Sequence, residues 1–137
     1  MQKLILDTNI FVSSLIQKSF PYLIVDYYLD GKATICLSNP ILKECFEVLS
    51  RPKFSKFPDF KTNAEFLLTR LQTYSEFFEP LIKIDLIGDE PDNRLLELAQ
   101  ISKADFIITG NTKDFTMQQF KSTKIVSPKE FWDEYKA

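Results

Sequence analysis

Short apolar runs alternate with stretches of helical periodicity along this chain, and no other feature restricts its fold as much. The runs are Lys3–Leu6 (KLIL), Ala33–Leu37 (ATICL), Ile82–Ile84, Phe106–Ile108 and Lys124–Val126. Each is strand-sized, and helical sequence separates most of them from the next. The order β-α-β-α-β predicts an α/β fold with a buried, mainly parallel sheet covered by helices. The 137 residues include only three glycines and show no repeat, low-complexity tract or linker, so one domain spanning residues 1–137 is expected.

Helix boundaries are signalled locally. Asn39-Pro40 offers an N-cap followed by proline at the first helical position, opening ILKECFEVL. Thr62-x-x-Glu65 and Ser127-x-x-Glu130 both have capping-box spacing, the second with Pro128 in its first turn. Phe66, Leu67, Leu71, Tyr74 and Phe78 approximate one face of a long amphipathic helix. Pro91 marks the start of another, DNRLLELAQISK. The segment Phe20–Gly31 is crowded with apolar side chains; it is read as core packing, with a protein contact as the alternative.

The sequence holds no histidine. Serine–histidine and cysteine–histidine catalysis, imidazole proton transfer and ordinary zinc or copper sites are thereby excluded. Cys36 and Cys45 lie in apolar surroundings (ATICLS and KECFEV) and are expected to be buried and reduced. Lysine and arginine number 17 against 19 acids, a net charge of −2, which excludes coating of nucleic acid by bulk positive charge. No apolar run reaches membrane-spanning length, and Asp7 interrupts the first before a secretory core can develop. A soluble, cytoplasmic protein with no membrane association is the expectation.

The remaining chemistry must run on carboxylates, amides, hydroxyls, lysine or the two cysteines, and the carboxylates are the most informative. In an open parallel sheet, ligands bind outside the carboxyl ends of the strands, so acids at those ends carry more information than acids elsewhere. Asp7 follows KLIL directly, where it is either a site residue or the N-cap of the next helix. Glu44 shares a helical face with Ile41 and Val48, whereas Glu47 falls beside Lys43 and Arg51. Asp89, Glu90 and Asp92 surround a helix start, a position the helix dipole favours for carboxylates, and Asp92 is the member facing the Leu95 and Ala99 side. Asn111 and Asp114 follow the strand ADFII, in a turn they either serve locally or share with a site. Carboxylates gathered on one edge raise one another's pKa, a conflict that a hard cation such as Mg²⁺ or Mn²⁺ removes.

The strings LDTNIFVSSL, LSNPILKECFEVLSRPKF, DEPDNRLLELAQISKADFIITGN and NTKDF, in this order, resemble the PIN domain, most of all the VapC-like toxin components of toxin–antitoxin pairs. The resemblance runs from Lys3 to about Trp132. It implies a three-layer α/β/α sandwich with a central, mainly parallel sheet. It also implies Mg²⁺- or Mn²⁺-dependent hydrolysis of single-stranded RNA, a cognate antitoxin and a homodimer. On the family's pattern Asp7, Glu44, Asp92 and Asp114 are the catalytic and metal-holding acids, with Asp89 or Asn93 as alternatives to Asp92. Asn111 stands where some members carry aspartate, and it offers an amide oxygen without charge. Thr8 and Asn9 are supporting polar groups, and Arg51, Lys53 and Lys56 are candidate contacts for single-stranded or structured RNA. They belong to Arg51–Lys61, whose basic residues interleave with Phe54, Phe57 and Phe60; the alternative is a solvated loop with its phenylalanines plugged inward.

Two other readings compete. One is a catalytically weak PIN scaffold that binds RNA or protein, motivated by Asn111 and the slight negative charge. The other is a phosphoryl-transfer domain with an aspartate after its first strand, disfavoured because Asn9 stands where a second acid would be needed.

Overall fold

The computed structural model describes residues 1–137. The chain begins with β1 (Gln2–Leu6), α1 (Thr8–Ile16), α2 (Phe20–Leu29), β2 (Ala33–Leu37) and α3 (Asn39–Leu49). A 3₁₀ turn at Pro52–Phe54 leads to α4 (Phe60–Tyr74), β3 (Glu76–Phe77), α5 (Glu90–Ser102) and β4 (Phe106–Ile108). A second 3₁₀ turn, Thr112–Asp114, precedes β5 (Gln119–Phe120), β6 (Thr123–Val126) and α6 (Pro128–Glu130), which runs on as a π-helix over Phe131–Tyr135.

The six strands lie in the order β3-β2-β1-β4-β6-β5, all parallel except the β5–β6 pair. Burial along β1, β2 and β4 is nearly continuous, as expected where both faces of a sheet are covered. The first crossovers move one way from β1 and the later ones move the other way. Right-handed connections therefore put α1–α4 on one face and α5 on the opposite face, giving the α/β/α arrangement expected from sequence. The direction changes between β1 and β4, so the connections leaving their carboxyl ends diverge and open a crevice there. This crevice positions the candidate site.

Four of the five sequence-expected strands are present at their expected places. Ile82–Ile84 is not a strand: the Ile84 N–H donates to Glu97 Oε2 at 2.9 Å, and Leu81 and Ile82 remain exposed. The sheet position is taken instead by Glu76–Phe77, which leaves α4 directly beside β2 (Cys36↔Glu76, Leu37↔Phe77). The Thr62–Glu65 spacing does not mark a helix start either. Helix α4 begins at Phe60, after Asp59 in the left-handed region (φ 60°), because Phe60 is buried and stacks on Phe54 with ring centroids 5.0 Å apart. Burying such a ring is worth about 1.5–3 kcal/mol, more than the roughly 1 kcal/mol of a cap, so packing sets this boundary. For the same reason the inward face of α4 is Phe60, Ala64, Leu67, Leu68 and Leu71, while Phe66 and Tyr74 are exposed.

The other local signals hold. The Ser127–Glu130 capping box has both of its hydrogen bonds, and Pro40 opens α3, although the cap position is Ser38 rather than Asn39. In Phe20–Gly31, Ile24, Val25, Tyr27 and Tyr28 are buried, so most of its apolar content is core. The carboxyl-terminal segment is pinned by Phe131 against Phe106 and Trp132 against Tyr27, both edge to face. Cys36 and Cys45 are buried and free. No helix is long and apolar enough to cross a membrane.

Candidate active site

Asp7 sits where β1 ends, beside β4. Pairing of Leu6 with Ile108 brings Asp7 level with Thr109, and the Asp7 N–H donates to the Ile108 carbonyl at 3.0 Å. The fully buried Thr109 hydroxyl donates to Asp7 Oδ2 at 2.9 Å and accepts the Asn111 N–H at 3.1 Å. Asp7 Oδ1 also accepts the Asn9 N–H at 3.3 Å, capping α1. The two sequence readings of Asp7, cap and site residue, are therefore compatible: one oxygen caps the helix while the carboxyl stays half-buried in the crevice. Thr109 went unassigned from sequence, although its place after FII is the signal that could have found it.

Glu44 reaches the crevice from α3 and is half-buried. The Thr8 hydroxyl donates to its Oε2 at 3.1 Å. Thr8 is itself buried, so this hydroxyl faces the carboxylate, while the Asn9 side chain is exposed. Cys45 packs beneath the pair, and burial, opposed by the Thr8 hydroxyl and reinforced by Glu44 and Asp7, pushes its thiol up to about 12. Burial likewise raises Cys36 to about 11. Neither thiol is a thiolate nucleophile near neutral pH.

Helix α5 brings the third acid. Asp89 caps it, accepting the Asp92 N–H at 3.1 Å. Asn93 is buried and committed to the preceding loop: its Oδ1 accepts the Leu86 and Ile87 N–H groups, and its Nδ2 donates to the Ile87 carbonyl at 2.6 Å. Asn93 is thus committed to the loop and Asp89 to the helix cap. The Asp92 carboxyl, by contrast, makes no hydrogen bond within the protein and lies near Asp89, Asp7, Asp114 and Glu44. Its pKa is raised from the usual 3.8 to about 6, first by burial and then by repulsion from Asp89, Asp7, Asp114 and Glu44. Asp114 completes the group from the exposed turn after Asn111, whose carbonyl accepts the Asp114 N–H at 3.0 Å.

The basic segment behaves differently. Phe54 and Phe57 turn inward onto Phe60, while Lys53 and Lys56 lie over the Phe54 and Phe57 rings at 5.2 and 5.4 Å. The Arg51 guanidinium is held by Glu47 at 3.0 Å. Thus the phenylalanines turn toward the domain, while Arg51, Lys53 and Lys56 are exposed along with the polar and proline residues between them.

Asp7, Glu44, Asp92 and Asp114 come from four separate elements and present only oxygen donors. No three of them meet at one point as a closed chelate. Such an open, mutually repelling set fits a hard divalent cation that keeps several of its waters.

A family model for the PIN domain matches residues 3–113. An uncharacterised protein of Methanocaldococcus jannaschii is 32% identical over 143 residues, covering 97% of this chain and 91% of its own length. Among solved structures, a chain of VapBC2 from Rickettsia felis, crystallised bound to a DNA fragment from its promoter, shares the fold. The TM-score is 0.59 at 19% identity, covering 92% of this chain and 98% of that one.

Proposed function

The chain belongs to the PIN-domain family, and on that premise we propose that its carboxylate crevice is the active centre of a divalent-metal-dependent endoribonuclease acting on single-stranded RNA. Its place is as the toxin of a toxin–antitoxin pair, with a cognate antitoxin and a homodimeric state. The observation that carries the reading is the gathering of Asp7, Glu44 and Asp114 around Asp92 at the point where the sheet's connections diverge. The fold shared with a VapBC2 chain supports the toxin role.

Asp7, Glu44, Asp92 and Asp114 would hold the ion, with the Asn111 amide oxygen as a neutral addition. When bound, a divalent cation supplies charge neutralisation at the phosphodiester and lowers the pKa of an attacking water. The protein's own part is positional. Thr109 fixes the Asp7 carboxyl and Thr8 fixes Glu44, so two of the four acids are set in orientation before substrate arrives. Water adds to phosphorus, the P–O3′ bond breaks, and the products carry 5′-phosphate and 3′-hydroxyl ends.

Purified protein incubated with single-stranded and structured RNAs is expected to cleave the former in Mg²⁺ or Mn²⁺ and to stop in EDTA. Cleavage indifferent to EDTA would overturn the metal reading. The neutral Asn111 and the open donor set favour a second reading, a weakly catalytic RNA- or protein-binding scaffold. RNA binding without cleavage in either metal would select it.

Thr109→Val keeps the side chain's shape and deletes the hydroxyl on Asp7. Loss of such a supporting contact to a ligand is expected to raise the Mn²⁺ concentration for half-maximal cleavage roughly tenfold to a hundredfold. A metal titration of activity, beside circular dichroism to confirm folding, measures this.

A further inference from the structure

Next to the crevice lies a cavity of about 610 Å³ that the mechanism above leaves unused. It begins at Thr112 and Lys113, in the turn that carries Asp114, and runs along β6 to Tyr135. Strand β6 is two positions from β1 in the sheet, about 10 Å to the side at about 4.8 Å between strands. Val126 is level with Leu6, just before Asp7, and Lys124 is level with Leu4, further down the strand. Its size is that of a small-ligand site.

The lining chemistry complements what the crevice lacks. The crevice is ringed by acids and repels a phosphate chain, whereas the cavity presents Lys113 and Lys124, both exposed and neither engaged in any of the protein's ion pairs. Lys124 is steadied over the Tyr135 ring at 5.1 Å from its centroid. Glu130 is the one acid in the wall, and its Oε1 is already committed to the Ser127 N–H at 3.1 Å. Gln118 is fixed through its carbonyl, which accepts the Ile125 N–H at 3.0 Å, and its side-chain amide can both donate and accept.

We propose that this cavity binds a nucleotide of single-stranded RNA flanking the scissile phosphate, with Lys113 and Lys124 on backbone phosphates and Gln118 on a base edge. The assignment rests on the nuclease reading, because it takes the carboxylate turn as the place where the strand is cut. An acidic peptide is attracted by the same lysines, but only an RNA strand also has to pass the adjoining turn.

The test is binding of a short fluorescein-labelled oligouridylate by the full-length protein in EDTA, followed by anisotropy across a range of salt concentrations. Lys113→Gln/Lys124→Gln is compared with Lys18→Gln/Lys32→Gln, which removes two exposed lysines elsewhere. The cavity variant is expected to bind about tenfold more weakly. Its slope of log affinity against log salt should fall by about 1.4, since each single-strand phosphate contact contributes about 0.7. The single variants should each give about half that change, and the control variant should keep the wild-type slope. An unchanged slope in the cavity variant, an equal fall in the control, or binding of labelled polyglutamate with no binding of the RNA would overturn the proposal. The measurement needs no catalysis. Failure of wild-type cleavage in Mn²⁺ therefore counts against the nuclease reading alone, and failure of the slope counts against the cavity alone.

Discussion

Asp7→Asn protein is expected to fold normally and to cleave single-stranded RNA on the order of a thousandfold more slowly than wild type in saturating Mn²⁺. An amide at this position still caps α1 through its oxygen, because the contact needed there is acceptance from the Asn9 N–H. What is lost is a negative oxygen at the carboxyl end of β1, where the sheet's connections diverge. Charge stabilisation by a bound cation is worth several kcal/mol at the transition state, and each 1.36 kcal/mol is tenfold in rate. Single-turnover cleavage of a labelled oligonucleotide, with melting temperature measured in parallel, reads both halves of the expectation. Wild-type rates in a folded Asp7→Asn variant would remove the crevice from consideration as the active centre.

Asp92→Asn should have two effects of opposite sign: loss of metal-dependent activity and a gain in metal-free stability. The Asp92 carboxyl binds its proton more tightly in the folded protein (about 6) than its ordinary value of 3.8. Folding stability contributed by that proton is complete below about pH 4 and disappears as pH rises through about 6. The full shift, roughly two units, would correspond to about 3 kcal/mol. Because Asp92 is only partly buried and screened by solvent, about 1 kcal/mol is a fairer expectation. In EDTA at pH 7.5 the variant should therefore melt about 3–5 °C above wild type, with the difference vanishing near pH 4. Mg²⁺ should stabilise the wild type at pH 7.5 and largely fail to stabilise the variant, since the ion relieves repulsion that the amide has already removed. A variant no more stable than wild type at pH 7.5 would mean that Asp92 is not under this repulsion. The stability withheld by an ionised Asp92 is the usual cost of a functional cluster of like charges.

Much of this molecule is legible in the order of its residues. The runs KLIL, ATICL, FII and KIV are strands, and Ser127 with Glu130 closes a helix start as its spacing predicts. The absence of histidine removes imidazole from any metal site, and Asp7, Glu44 and Asp114 lie near enough to Asp92 to raise its pKa. These signals act over a few residues: a cap hydrogen-bonds within its own turn, and an apolar run carries its burial preference wherever it goes.

Other features are decided by partners far away in the chain. Ile82–Ile84 has the composition of a strand, but the edge of β2 is already paired with Glu76–Phe77, delivered there by α4. Thr62 and Glu65 have the spacing of a capping box, yet the stacking of Phe60 on Phe54 starts the helix earlier. The choice among Asp89, Asp92 and Asn93 turns on the Leu86–Ile87 loop folding back onto Asn93. The hydroxyl that holds Asp7 comes from Thr109, 102 residues along the chain, and it arrives there only because β4 lies against β1. Sequence alone determined which groups could do chemistry here and at which strand ends they stand. Tertiary structure decided which of them face one another, because strand order fixes neighbours across the sheet, and no local periodicity encodes that order.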